Sequence, residues 1–263
     1  LLEVARHVPG HLEFISCTQR RLLAREHVDR HHSDFRDPGL ADFLDGCILT
    51  PKVPGESWVN RADELRSSRK SWFLQDRLRA ALGLARAVER LEAGGCSHRD
   101  LSGGNVFIQP DGNIHLIDWD SLFHRNIEFQ ANTTVGTAGY MAPFTRSPTG
   151  GWDARLSWQP WADRFALGIL IAEFLLTDST TPAQEDGSLF SQAQLNDTAS
   201  AAVRQQVHRI EDISIHLAWQ LLAMFQATAF EKCPSPRHWM GALHHALHTE
   251  GARVRVAAPL RAA

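Results

Sequence analysis

The sequence predicts an α+β protein in two lobes: a small one built from a helix and a strand hairpin, then a larger, mainly helical one. Three observations carry this expectation. Strand-like runs sit early in the chain, and helical periodicity dominates after about residue 160. Two hairpin signals, each with Asp-Gly at its tip, bracket a long amphipathic segment. A chain of 263 residues with 43% hydrophobic and 22% charged content can bury a core of that size.

The elements follow in order. Leu12, Ile15, Leu22, Leu23 and Val28 recur at roughly helical intervals, so one amphipathic helix is predicted over 11–31. "RDPG" (36–39) is a turn. "LADFL" (40–44) and "CILTPKV" (47–53) read as two strands joined by Asp45-Gly46, the second broken at Pro54-Gly55. A long helix runs from Trp72 to Leu91 and stops at Gly94-Gly95. "NVFIQPDGNIHLID" (105–118) is the second hairpin, with Asp111-Gly112 at its tip. "DRFALGILIAEFLL" (163–176), "HLAWQLLAMFQATAF" (216–230) and "PRHWMGALHHAL" (236–247) read as helices, with a polar loop over 178–198. The organisation expected is a partial small lobe over 1–53, a hinge over 54–58, a large lobe over 59–250 and a tail over 251–263.

Composition narrows the function classes. A net charge of -3 and a pI near 6.6 leave no broad basic footprint for nucleic acid or an anionic membrane. No run approaches the roughly 18 apolar residues of a membrane span. Cys17, Cys47, Cys96 and Cys233 show no CxxC spacing and read as buried free thiols, so a reducing cytoplasmic location is expected.

The chemistry is concentrated in "CSHRDLSGGNVFI" (96–108). Asp100 and Asn105 share a tight loop loosened by Gly103 and Gly104. A carboxylate there can orient or deprotonate a hydroxyl, and an amide oxygen a turn later can hold a divalent cation. "LIDWD" ends an apolar strand in Asp118, which with Asn105 makes an oxygen-rich site suited to Mg²⁺. Taken alone, Asp118 also reads as an ordinary turn residue.

With these motifs in order, residues 40 to 245 resemble the protein kinase fold. The likeness is closest to divergent bacterial Ser/Thr protein kinases whose metal-binding motif reads Asp-x-Asp-Ser, here "DWDS" (118–121). "VGTAGYMAP" (135–143) is similar to the end of the activation segment that positions a peptide, and "DRFALGILIAEFL" (163–175) to the buried central helix of the large lobe. The resemblance implies a bilobal fold, ATP and Mg²⁺ as cofactors, and a protein substrate. It makes Asp100 the base and Asn105 and Asp118 the metal ligands. His98 and Trp119 become packing residues of the regulatory core. Thr137 reaches back to Asp100, and Asp163 anchors the loop backbone. Thr50 would lie at the back of the nucleotide pocket, and Pro51, Lys52 and Val53 would line the adenine edge. A plain buried strand and turn would look the same in sequence.

Several positions depart from the family. No G-x-G-x-x-G and no strand lysine precede the first helix, and the first lysine is Lys52. Glu26, with Glu13 behind it, is the candidate ion-pair partner for that lysine. The start at Leu1 then reads as a cut made after the lysine strand, and such a chain alone is expected to be nearly inactive. Asp120 replaces the glycine of the metal-binding motif, and Ser102 replaces a lysine. Phe144 and Cys233 replace both halves of a buried ion pair, a paired loss that reads as repacking. A binding module without catalysis and a small-molecule kinase remain as alternatives. His244 and His248 share a helix face but find no third ligand, and the eight tryptophans read as ordinary packing. Finally, Thr133 is expected to be an activating phosphorylation site paired with Arg99, and Thr134 lies beside it.

Overall fold

The computed structural model describes residues 21–22, 48–49, 52–129, 135–147, 149–184 and 187–257. Its chain divides into two compact units, Leu1–Val53 and Pro54–Ala263. In the first, β1 (Arg21–Leu22) pairs antiparallel with β2 (Ile48–Leu49), in the register Arg21↔Leu49 and Leu22↔Ile48. This corrects the helix expected over 11–31 at those two residues. Leu22 and Leu23 are adjacent apolar residues, and so short a run fits a strand as well as a helix until a pairing partner decides. The proposed strand over 40–44, Glu13, Glu26, Thr50 and Pro51 lie outside the described residues.

The second unit opens with β3 (Glu56–Ser57) and α1 (Trp58–Arg66). Of the span 54–58, expected as a hinge, Glu56, Ser57 and Trp58 therefore lie in regular secondary structure. Gly55 allows it: at φ 96° its missing Cβ would sit 2.5 Å from the Ile108 carbonyl oxygen. That approach lets β3 join β5 (Val106–Ile108), which pairs in turn with β6 (Ile114–Leu116). All pairings are antiparallel, in the order β3-β5-β6. Ser57 caps α1, accepting from the Asn60 N–H. Only Trp58, Ala62 and Leu65 of this polar helix are buried, a narrow i, i+4, i+7 stripe that its charges hide in the sequence.

Next, α2 (Leu74–Ala93) buries Leu78, Leu82, Leu84, Val88 and Leu91, and ends at Gly94-Gly95 as its periodicity predicts. β4 (Cys96–Ser97) pairs antiparallel with β7 (Phe123–His124). α3 (Arg164–Leu176) is buried from Phe165 to Leu176, on every face. α4 (Gln192–Asn196) corrects the loop expected over 178–198. Ser191 and Gln194 form a capping box that starts this short helix. α5 (Ala201–Ile213), α6 (Ile215–Gln226) and α7 (Pro236–Ala257) complete the unit, and α7 runs on into the stretch read as a tail.

Gly168 sets how closely α3 packs, because a Cβ there would run into Met224 Sδ of α6 and Trp239 Cζ2 of α7. Gly168→Val is expected to destabilise the protein by about 1–3 kcal/mol through overpacking. Urea unfolding should show a lowered midpoint at an unchanged slope.

Candidate active site

The β4–β7 pair brackets the segment that carries Asp100, Asn105 and Asp118. Asp163, at the N-cap of α3 and only 1% exposed, holds the loop from beneath. Its Oδ2 accepts the His98 N–H at 2.7 Å and its Oδ1 accepts the Arg99 N–H at 2.8 Å. Burial raises its pKa, and His98 with the two backbone donors and Arg99 opposes that rise. The His98 ring lies 4.6 Å from the Trp119 ring. Its Nδ1 accepts the Asp100 N–H, so Nε2–H is the donor to the Ile117 carbonyl at 2.7 Å. Trp119 Nε1–H donates to the Leu116 carbonyl at 3.1 Å.

These contacts fix the loop's working face. Asp100 is half-buried, and its Oδ1 accepts from Thr137 Oγ1–H at 2.7 Å. The Asp100 carbonyl accepts from Asn105 Nδ2–H at 2.9 Å, which turns the amide oxygen of Asn105 away from the loop. The Ile117 N–H donates to the Asn105 carbonyl at 3.0 Å, continuing the β5–β6 ladder and bringing Asp118 alongside Asn105. Asp118 is exposed in the left-handed region (φ 60°, ψ 66°), which aspartate tolerates better than most residues. Asp120 follows it, exposed, on the turn Trp119–Ser121. Among the described residues no three or more His, Cys, Asp or Glu side chains gather as a metal cage. Two oxygen donors at a solvent-facing edge fit Mg²⁺, which keeps waters and phosphate oxygens in its shell. His244 and His248 are exposed and belong to no such group.

Arg99 is enclosed by the chain around it. It has φ 68° and is 4% exposed. Its guanidinium donates to the carbonyls of Ser157, Ser121 and Ala154 at 3.1, 3.0 and 3.2 Å, and stacks 4.7 Å from the Trp158 ring. Burial lowers its pKa to about 10. These contacts make Arg99 a clamp on the chain around Ser121 and Ser157. Thr133 and Thr134 lie outside the described residues. Lys52 is exposed and Val53 half-buried, both in the first unit.

Where the family's ion pair is replaced, Phe144 meets Phe230 and Phe165 edge-on, with centroids 4.9 and 6.1 Å apart. Cys233 is buried and free, with its thiol pKa pushed up to about 12 by burial. Cys96 is also buried and free, while Cys17 and Cys47 lie outside the described residues. A different ion pair ties α3 to α2: Arg164 Nε and Nη2 donate to the two Glu92 oxygens at 2.7 and 2.9 Å. The sequence reading also missed Glu173. This carboxylate is 0% exposed within apolar α3, and burial raises its pKa to about 7. A lone acid in a continuous apolar run was the signal available.

A supported loop that joins an acceptor carboxylate to a small oxygen site is a phosphoryl-transfer type of arrangement. The chain belongs to the protein kinase family: the family model described as the protein kinase domain matches residues 55–243. The chain is similar to the mitogen-activated protein kinase kinase MKK2 of Pyricularia oryzae, with 25% identity over 248 residues, 89% of this chain and 42% of that protein. It is also similar to the mitogen-activated protein kinase kinase mkk1 of Cytospora mali, with 25% identity over 199 residues, 72% of this chain and 34% of that protein. To the serine/threonine-protein kinase Nek6 of Oryza sativa subsp. japonica it is 30% identical over 111 residues, 42% of this chain and 20% of that protein. The chain thus spans less than half the length of each. These relatives are fungal and plant proteins, so they lend no support to the bacterial likeness read from "DWDS".

Proposed function

We propose that this chain carries a Ser/Thr protein kinase site, moving the γ-phosphoryl of ATP to a protein hydroxyl. The observation that carries the reading is Asp100, held through Thr137 on one side and joined through its own carbonyl to Asn105 on the other. The Asp100 carboxylate positions the acceptor hydroxyl and takes its proton. Thr137 fixes which carboxylate oxygen faces the substrate. Asn105 and Asp118 would hold Mg²⁺, which when bound neutralises charge on the phosphates. Thr50, Lys52 and Val53 would serve the adenine, and Glu26 would pair with a phosphate-binding lysine. The protein acceptor is supported by the names of the relatives and by the turn that joins Thr137 to Tyr140, whose N–H donates to the Thr137 carbonyl.

A second reading, nucleotide or partner binding without transfer, draws on Ser102. It is buried at 4% exposure and places no cation beside the loop. Both readings are tested by Asp118→Asn in the full-length protein. Mg²⁺-dependent nucleotide affinity should fall sharply while the circular dichroism spectrum stays unchanged. Affinity equal to that of the unmodified protein removes Asp118 as a ligand. Labelled phosphate arriving on protein rather than on a metabolite separates the kinase reading from its alternatives.

A further inference from the structure

Trp58, the first residue of α1, is 1% exposed, and its buried indole makes a long-range contact. Nε1–H donates to Glu173 Oε2 at 2.7 Å. The same oxygen accepts from the Tyr140 hydroxyl at 3.0 Å, and Oε1 accepts the Leu189 N–H at 2.7 Å. One carboxylate of α3 therefore gathers donors from α1, from the turn after Thr137 and from the chain before α4. The catalytic loop closes against the same group. A Cβ on Gly103 would lie 2.8 Å from the Tyr140 hydroxyl and 2.9 Å from Trp58 Cδ1. Gly103 is thus seated on the two side chains that Glu173 holds, and it lies between Asp100 and Asn105.

We propose that Trp58 is a positioning residue for the catalytic loop, acting through the Glu173 carboxylate on Gly103 and on the Thr137–Tyr140 turn. The indole N–H fixes the height of the carboxylate's partner on α1, and the indole edge is the surface against which Gly103 stops. Tyr140 transmits the same constraint to Thr137, and Thr137 to Asp100. For its effect on phosphoryl transfer this rests on the reading of Asp100 above; the joint itself does not.

The joint depends on the charge state of Glu173. An ionised carboxylate accepts from all three donors, whereas a protonated one must give up acceptor capacity or find a partner for its own proton. From α1, Arg66 is the charged side chain that bears on it, with Nη2 donating to the Gly187 carbonyl at 2.7 Å. The turn contributes the Tyr140 phenol, whose pKa burial and then Glu173 hold well above the usual value. Arg77 of α2 donates to the carbonyls of Phe174, Leu175 and Thr177. Arg209 of α5 donates to the Leu176 carbonyl. Burial raises the Glu173 pKa from 4.5 to about 7. The folded chain therefore binds this proton more tightly than the unfolded chain does, and stability falls as pH rises from about 4.5 through about 7, where the carboxylate that accepts all three donors becomes the main form.

The test is a ¹H–¹⁵N titration of the whole chain through neutral pH. The Trp58 indole and Gly103 amide resonances should move together with a midpoint near 7, and Glu173→Gln should abolish both movements. Trp58→Phe keeps a ring but loses the donor. It should displace the Gly103 and Thr137 amides and remove the pH response at Gly103, with the amides at the Arg164 end of α3, away from Glu173 and Phe174, unmoved. Independent behaviour of the two resonances in the unmodified chain, or Gly103 and Thr137 unshifted in Trp58→Phe, overturns the proposal. Should Trp58→Phe fail to fold, the titration and Glu173→Gln decide alone. In active full-length protein, Trp58→Phe should lower kcat by roughly tenfold to a hundredfold with little change in KM. An unchanged pH–kcat profile there would overturn the catalytic consequence, whereas activity that survives loss of Asp100 would overturn the kinase reading and not the joint.

Discussion

Asp100→Ala is expected to lower phosphoryl transfer by about 10²–10⁴-fold, the usual contribution of a positioned general base. Nucleotide binding should be nearly unchanged. The separation follows from how the residue is used. Its carboxylate faces Thr137, but its bond to Asn105 is made by the backbone carbonyl. Alanine removes the first and keeps the second, so the amide proposed to hold the metal stays oriented. The Thr137 hydroxyl loses its acceptor at a half-buried position, a modest loss that leaves the loop anchored by Asp163. Single-turnover transfer measured beside a nucleotide titration separates the two effects. Near-normal turnover in the mutant would remove Asp100 from the mechanism.

The second large effect is on the fold. Asp163→Ala is expected to cost about 3–5 kcal/mol, the range seen when one partner of a buried charged group is removed. Three losses coincide. The His98 and Arg99 N–H groups are left without acceptors, and the buried Arg99 guanidinium loses a carboxylate that supports its charge. Against a typical stability of about 5–15 kcal/mol, that is a large share of the total. Asp163→Asn should fall between, because one amide oxygen can still accept one N–H while its NH₂ group faces the other donor. Chemical denaturation of the three proteins should rank them in that order. Equal midpoints would show that the loop does not depend on this carboxylate.

How legible the molecule was in its sequence depends on the range of each contact. The loop over 96–108, the hairpin over 105–118 and the helix ending at Gly94-Gly95 are local objects. Their residues lie a few positions apart, and spacing is enough to read them. α1 was missed because its buried stripe is only three residues wide amid charges. The pairing of Arg21–Leu22 with Ile48–Leu49 was misread because an apolar doublet carries no period of its own. The surroundings of Arg99 were hidden for a different reason. Its neighbour Asp100 suggested a reactive setting, whereas the carbonyls that enclose its guanidinium come from Ser121, Ala154 and Ser157. Trp58 and Glu173 are 115 positions apart, beyond the reach of any local pattern.

Those two buried carboxylates, Asp163 and Glu173, stand at the beginning and near the end of a single helix. Their separation is set by helical rise, about 15 Å for ten residues, and their relative direction by helical phase. The helix therefore works as a ruler on which the loop support and the turn support are two fixed marks. Length can vary in the connections that reach either mark, because a loop absorbs an added residue cheaply. Between the marks it cannot. One residue inserted there would swing Glu173 about 100° around the axis and carry it about 1.5 Å along, away from Trp58, Tyr140 and Leu189 at once. The site therefore depends on the length of the helix between Asp163 and Glu173 as well as on the identity of its residues.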